Sequence, residues 1–195
     1  MVAREIGLWD EIEILPMAWS LEWGYRTVPF TSVLAEANPV ARIPTLVTDG
    51  GDALGDSTLA CLYLNDRPTI GKVISEGDTK WRMWSLYAVA DGMLEAQILM
   101  RAEHLRPRNI RLDSFLEKQK DRIGVCLDAM EARADELDGP LELAQITLGV
   151  TLSYQDWREW LNDFRPGRPK LMAWYAAFAE RPAMRETEPQ ETPER

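Results

Sequence analysis

Cysteine and histidine are scarce in this chain, with two Cys and one His among 195 residues. Cys61 and Cys126 lie far apart, each within a helical pattern, and no C-x-x-C or metal-ligand spacing exists. A disulfide scaffold is excluded and no metal site is expected; two buried, reduced thiols of a cytosolic protein are the reading. His104 has no partner residues for a triad or a metal site, so it reads as structural. Long apolar runs are missing as well. The longest uncharged stretch, residues 143–155, falls short of the roughly 20 apolar residues that cross a bilayer. No secretory signal is visible, because Met1 leads straight into a charged amphipathic segment. Basic residues are in deficit, 22 Lys+Arg against 32 Asp+Glu, for a net charge of −10. That balance opposes a phosphate backbone and argues against a nucleic-acid partner. The remaining composition, 46% hydrophobic and 28% charged, is that of a globular protein with one generous core or two small ones.

Along the chain, residues 1–7 read as the end of a helix stopped by Gly7. Residues 11–15, Glu-Ile-Glu-Ile-Leu, alternate as a strand does. Residues 17–31 hold Trp19, Trp23, Tyr25 and Pro29 without a period and read as a loop. A short helix is expected over residues 32–37, ended by Asn38-Pro39. Ile43-Pro44 then stands directly before a strand at residues 45–47. A proline there removes a ladder donor and forces Ile43 into an extended conformation. Asp49-Gly50-Gly51 is hairpin-turn chemistry, because glycine supplies positive φ without steric cost. After a second strand, Asp56-Ser57 opens a helix to about Asn65, with a side-chain oxygen placed to cap exposed N–H groups.

Residues 67–77, with Pro68, Gly71 and Gly77, form a linker by composition. From Asp78 the texture is helical. Trp81, Trp84, Ala88, Asp91, Leu94 and Ile98 fall at steps of three and four in a helix that ends near His104. A second helix covers residues 109–137 with Phe115, Ile123, Leu127 and Met130 among its apolar positions, and Gly139-Pro140 breaks it. Leu143, Ile146, Leu148, Val150 and Leu152 make a segment apolar nearly all round, hence a helix buried on most sides. Residues 170–180 carry Leu171, Trp174, Tyr175 and Phe178 in a further helix. The tail, residues 182–195, is rich in proline and charge and should be poorly ordered. Most of the eight Trp are expected to anchor the core.

The order strand, tight turn, strand, Asp56-Ser57, helix resembles the second half of the glutathione S-transferase N-terminal domain, a thioredoxin-like fold. The likeness continues through Ala90-Asp91-Gly92-Met93-Leu94-Glu95-Ala96, Arg101-Ala102-Glu103-His104-Leu105-Arg106-Pro107, Ile146-Thr147-Leu148-Gly149-Val150-Thr151-Leu152, Tyr154-Gln155-Asp156-Trp157-Arg158, and Trp174-Tyr175 to Arg181-Pro182. It implies an incomplete α/β thioredoxin-like domain at residues 1–66, a linker at 67–77, an all-α helical bundle at 78–181 and a flexible tail at 182–195.

Two departures from the family pattern stand out. The family's buried helix starts with a Ser/Thr-x-x-Asp capping box, where this chain has Glu142 and Gln145. Loss of the reciprocal cap is expected to cost about 1 kcal/mol, while Glu142 still favours the helix N-terminus through its charge. The family domain also opens with a strand and a loop bearing a catalytic Tyr, Ser or Cys, and residues 1–10 contain no Ser, Thr, Tyr or Cys. The first strand and the catalytic residue are expected upstream of Met1, as an incomplete N-terminus would leave them. Of the loop hydroxyls, Ser20, Tyr25, Thr27 and Thr31 are the alternative donors to the thiol.

The resemblance implies glutathione as co-substrate and Arg42, Ile43, Pro44, Asp56 and Ser57 as its site. Ser57, at a helix N-terminus, offers an N–H and a hydroxyl to the γ-glutamyl carboxylate, and Asp56 pairs with the ammonium. Ile43, before a proline expected to be cis, lends its N–H and C=O to the cysteinyl unit as an added strand would. Arg42 is the nearest cation for the glycyl carboxylate. Read by itself, Asp56-Ser57 is a helix cap; Ile43-Pro44 upstream at family spacing favours ligand binding. The implied activity is conjugation of glutathione to apolar electrophiles, a detoxification chemistry, by a cytoplasmic homodimer without nucleic-acid or membrane partners. The alternatives are a non-catalytic glutathione-binding or interaction module, and a glutathione-dependent thiol-disulfide oxidoreductase or isomerase.

Overall fold

The computed structural model describes residues 1–15, 20–22, 25–27, 33–67, 69–158 and 161–188. One compact unit takes residues 2–72 with 105–110; the other takes residues 73–104 and 111 onward together with Met1.

In the smaller unit, helix α1 (Val2–Glu5) stops at Gly7, whose φ of 77° suits a residue without a Cβ and whose N–H donates to the Arg4 carbonyl at 3.3 Å. Ile6, wholly buried, and Leu8 anchor the turn. A 3-10 turn then covers Trp9–Glu11. The strand expected at residues 11–15 is not formed among the described residues. Ile12 is extended (φ −105°, ψ 121°), as its alternating pattern requires, but no described strand pairs with it, and Ile14 and Leu15 are exposed. Alternation sets the backbone conformation, whereas a ladder also needs a partner.

The stretch read as a loop contains two strands, β1 (Ser20–Glu22) and β2 (Tyr25–Thr27), antiparallel with Ser20 opposite Thr27. Each spans three residues, too few for alternation to show. Helix α2 (Val33–Ala37) follows, then the hairpin of β3 (Leu46–Val47) and β4 (Ala53–Leu54). Leu46 lies opposite Leu54 and Val47 opposite Ala53. Gly51, at φ 90°, donates to the Thr48 carbonyl at 2.9 Å and closes the turn. Helix α3 (Ser57–Asp66) completes the unit and packs on α1.

Among the described residues of the larger unit every element is helical, the α-helices being α4 (Lys80–His104), α5 (Asp113–Ala132), α6 (Leu143–Trp157), α7 (Pro169–Ala179) and α8 (Pro182–Glu186). The period expected for α4 holds but its phase does not. The buried stripe is Met83, Leu86, Ala90, Met93, Gln97 and Met100, while Trp81 and Ile98 are 69% and 49% exposed. Both stripes step by three and four, so spacing identifies the helix without deciding which face is covered. Flexible Met side chains fill the irregular space between helices. The tryptophans are a related correction. Among the described ones none is buried: Trp9 lies under Arg4 at 4.2 Å, Trp157 under Arg158 at 3.7 Å and Trp81 under Lys80 at 4.9 Å. Phe164, Leu148, Leu152 and Leu171 occupy the core instead. Trp19, Trp23 and Trp160 lie outside the described residues.

Helix α6 is enclosed on most sides, as its composition requires. Gly149 on it is a close-packing position, because a Cβ there would come within 2.3 Å of the Phe178 ring. The expected loss of its N-terminal cap is also corrected. Gln145 Oε1 accepts the Glu142 backbone N–H at 2.5 Å in a reciprocal capping box built from longer side chains. The Glu142 carboxylate meanwhile accepts from Ser75 Oγ and pairs with Arg82 at 3.0 Å, and Gln145 Nε2 donates to the Leu137 carbonyl at 2.6 Å. Inside the bundle, Gln97 Nε2 donates to Gln155 Oε1 at 2.9 Å. Helix α8 forms where composition predicts a poorly ordered tail, and Ala183 and Met184 are buried there. Residues 189–195 lie outside the described ones.

Candidate functional site

The register of β3 with β4 brings the two approaches to the hairpin, residues 43–45 and 55–57, side by side at its open end. Each approach carries part of the expected site. On the first, the Ile43-Pro44 bond is cis, as expected, and Ile43 is 51% exposed. No described residue engages the Ile43 N–H or C=O, so both are open to an extended ligand. Arg42 is exposed, and its carbonyl accepts the Thr45 hydroxyl at 2.7 Å.

On the second approach, Asp56 is the N-cap of α3. Its backbone is extended, and Oδ1 accepts the Leu59 N–H at 2.7 Å. The capping reading is thereby observed, and it engages only one of the two carboxylate oxygens. Ser57 is the first residue of the helix and is exposed, with its N–H and hydroxyl facing no described partner. Unpaired N–H groups at a helix start, with the positive end of the helix dipole, suit an anionic group. The surface therefore presents an unpaired N–H and hydroxyl at Ser57, one unengaged carboxylate oxygen at Asp56, a pair of strand-like hydrogen-bonding groups at Ile43 and a guanidinium at Arg42.

Sequence reasoning missed what joins the two approaches. Asn38, read as a helix stop, is buried, with its amide against Gly55 and hydrogen-bonded to Thr45 Oγ1 at 3.0 Å. The signal was an Asn-Pro pair standing six residues ahead of Pro44, whose side chain had no assigned job.

The cysteines are not fully buried as expected; both are part-exposed. Burial nevertheless pushes the Cys61 thiol up to about 11 and raises that of Cys126 as well. Neither is poised as a thiolate at neutral pH. The side chains of Ser20, Tyr25 and Thr27, and all of Thr31, lie outside the described residues. Among the described residues no group of His, Cys, Asp and Glu is arranged to hold a metal ion, and no helix is long and apolar enough to cross a membrane.

A glutathione transferase family member from Pseudomonas fluorescens Pf-5, solved with bound glutathione, matches 97% of this chain and 91% of its own at 30% identity, with a TM-score of 0.87. This chain belongs to the glutathione transferase family. The family model for the glutathione S-transferase N-terminal domain matches residues 1–67, which hold every site residue named above. A glutathione S-transferase from Methylobacillus flagellatus KT with bound glutathione is 28% identical over 80% of each chain, with a TM-score of 0.75. The uncharacterized GST-like protein YibF of Escherichia coli K12 is 25% identical over 162 residues, 80% of this chain and 79% of its own. The expected fold, a thioredoxin-like domain followed by an all-helical one, is thus the glutathione transferase fold.

Proposed function

We propose that this glutathione transferase family member binds glutathione at the end of the β3–β4 hairpin and conjugates its sulfur to apolar electrophiles. The observation that carries the reading is the convergence of an unengaged Ile43 backbone and an open α3 N-terminus at Ser57. A relative 30% identical along nearly the whole chain, itself solved with glutathione, supports it.

In this reading the Ser57 N–H and hydroxyl take the γ-glutamyl carboxylate. The second Asp56 oxygen takes the ammonium while the first holds the cap. The Ile43 N–H and C=O, set beside Pro44, hold the cysteinyl backbone, and Arg42 meets the glycyl carboxylate. Charge-assisted hydrogen bonds of about 1.5–3 kcal/mol each, less the cost of immobilising the ligand, give binding in the sub-millimolar range, about −4 to −5 kcal/mol. Local charge matters because the chain as a whole, at −10, repels an anion. Such contacts bind without accelerating, since only interactions stronger in the transition state raise the chemical rate. Conjugation thus needs a donor aimed at the sulfur, which none of these five residues supplies. A cytoplasmic homodimer acting in detoxification is the working setting.

The test is Asp56→Ala combined with Ser57→Ala, assayed on immobilised glutathione. Binding should fall at least about tenfold while the helical circular dichroism stays near that of the parent. A double variant that binds as the parent does refutes the site.

A further inference from the structure

We propose that Asn38 is a positioning residue for glutathione, the amide that locks the Arg42–Pro44 approach and the Gly55–Ser57 corner into one surface. The inference rests on the glutathione-binding reading above and assigns to it residues that touch no ligand.

Asn38 is 6% exposed, and both ends of its side chain are used. Its Oδ1 accepts the Val40 N–H at 3.1 Å, and its Nδ2 donates to Thr45 Oγ1 at 3.0 Å. Thr45 spends its own proton on the Arg42 carbonyl at 2.7 Å. The proton count closes, because a hydroxyl that accepts from an amide retains one hydrogen to give. These three bonds bracket Arg42, Ile43 and Pro44, and they satisfy Arg42 C=O from inside the loop while Ile43 stays open. The backbone there is not at rest. Ala41 has φ 52°, in the left-handed region that disfavours a residue with a Cβ, and its N–H donates to the Asn38 carbonyl at 2.8 Å. Strained backbone persists where surrounding bonds over-determine it, and here they come from Asn38.

The second approach meets the same amide. A Cβ on Gly55 would stand 2.8 Å from Asn38 Nδ2 and 3.2 Å from its Cγ and Oδ1. Gly55 is not in the positive-φ region, so contact rather than conformation explains the glycine. The next residue is Asp56. One buried amide therefore sets the distance between the group that would hold the cysteinyl backbone and the groups that would hold the γ-glutamyl end.

The experiment measures glutathione affinity by titration calorimetry and melting temperature in parallel, for the parent chain, Asn38→Ala, Gly55→Ala, their double variant, Thr45→Val and Thr45→Ser. Asn38→Ala and Gly55→Ala should each weaken binding about tenfold. The double variant should be no more than about twofold worse than the worse single one, because both act on one contact. Thr45→Val should lose about fivefold, and Thr45→Ser, which keeps the hydroxyl, should stay within about twofold of the parent. A purely structural role would lower the melting temperature and leave the affinity of the folded protein unchanged, and that result overturns the proposal. Additive losses overturn it too. Should Asn38→Ala fail to fold, the half-buried Thr45 pair decides alone: equal affinity of Val and Ser overturns the proposal. A parent that does not bind glutathione overturns this and the underlying reading together, whereas variants that all bind as the parent does overturn only this.

Discussion

Asp56→Asn separates the helix cap that the Asp56 carboxylate forms from the ammonium contact proposed for it. Asp56 Oδ1 accepts the Leu59 N–H at 2.7 Å, and an asparagine amide oxygen can take that bond in the same place. Asn and Asp are equivalent N-caps, whereas alanine forfeits about 1 kcal/mol. For a chain of this size that loss moves the melting temperature by about 2–4 °C. Asp56→Ala should therefore melt lower by that amount, and Asp56→Asn should stay close to the parent, losing only the few tenths of a kcal/mol that a charge contributes beside the helix dipole at an exposed site. Binding divides the variants differently. The proposed ammonium partner is lost in both, and because the site is exposed the lower end of the charge-assisted range applies, about tenfold in affinity. Calorimetric titration with glutathione and a thermal melt of each variant supply the two readouts. Asp56→Asn binding as tightly as the parent, with only Asp56→Ala impaired, would reduce Asp56 to a helix cap and remove it from the site.

Two further expectations concern packing and titration. Gly149→Ala should destabilise by about 1–2 kcal/mol, since overpacking against a ring outweighs the helix propensity that alanine gains; Phe178 cannot easily withdraw, because Trp174 stacks on it at 4.8 Å and Arg181 sits 5.6 Å from its centre. A melt showing Gly149→Ala as stable as the parent refutes that packing argument. Cys61, with its thiol near 11, should react with iodoacetamide at pH 8 about a hundredfold slower than an unperturbed thiol, the rate rising about tenfold per pH unit toward 11. Because the folded thiol keeps its proton where the unfolded one loses it, the stability it contributes is complete below about pH 9 and declines as pH rises toward 11. Rapid labelling at pH 8 would show that Cys61 is accessible and unshifted.

Local chemistry made much of the smaller unit legible. Gly7, Gly51, Pro44 and Asp56 each act on the backbone beside them, and the helix stop, the turn, the cis bond and the N-cap all stand where those residues place them. Pairing and phase were harder to read, because they depend on residues distant in sequence. The alternation of residues 11–15 specifies an extended backbone and says nothing of a neighbour. In α4 two stripes share one period, and Trp81 and Ile98 sit on the exposed one while flexible methionines fill the covered one. At the candidate site, the exposed residues Arg42, Ile43, Asp56 and Ser57 could be named from motifs. Asn38 and Gly55 could not, because their roles exist only where two approaches to a hairpin close on each other.

The cap of α6 has a consequence for how the helical unit tolerates change. A hydroxyl or a short carboxylate at position 142 would still satisfy the helix start, yet it would end well before the groups that Glu142 reaches. The longer side chain ties the start of α6 to Arg82 on α4 and to Ser75 in the segment before α4. Arg82 in turn holds the Glu136 carbonyl at 2.9 Å, and Glu136 pairs with Arg133 at 2.8 Å. A substitution at position 142 that preserves the cap is thus a change at a junction of four segments, and Arg82 is the residue whose environment would report it first.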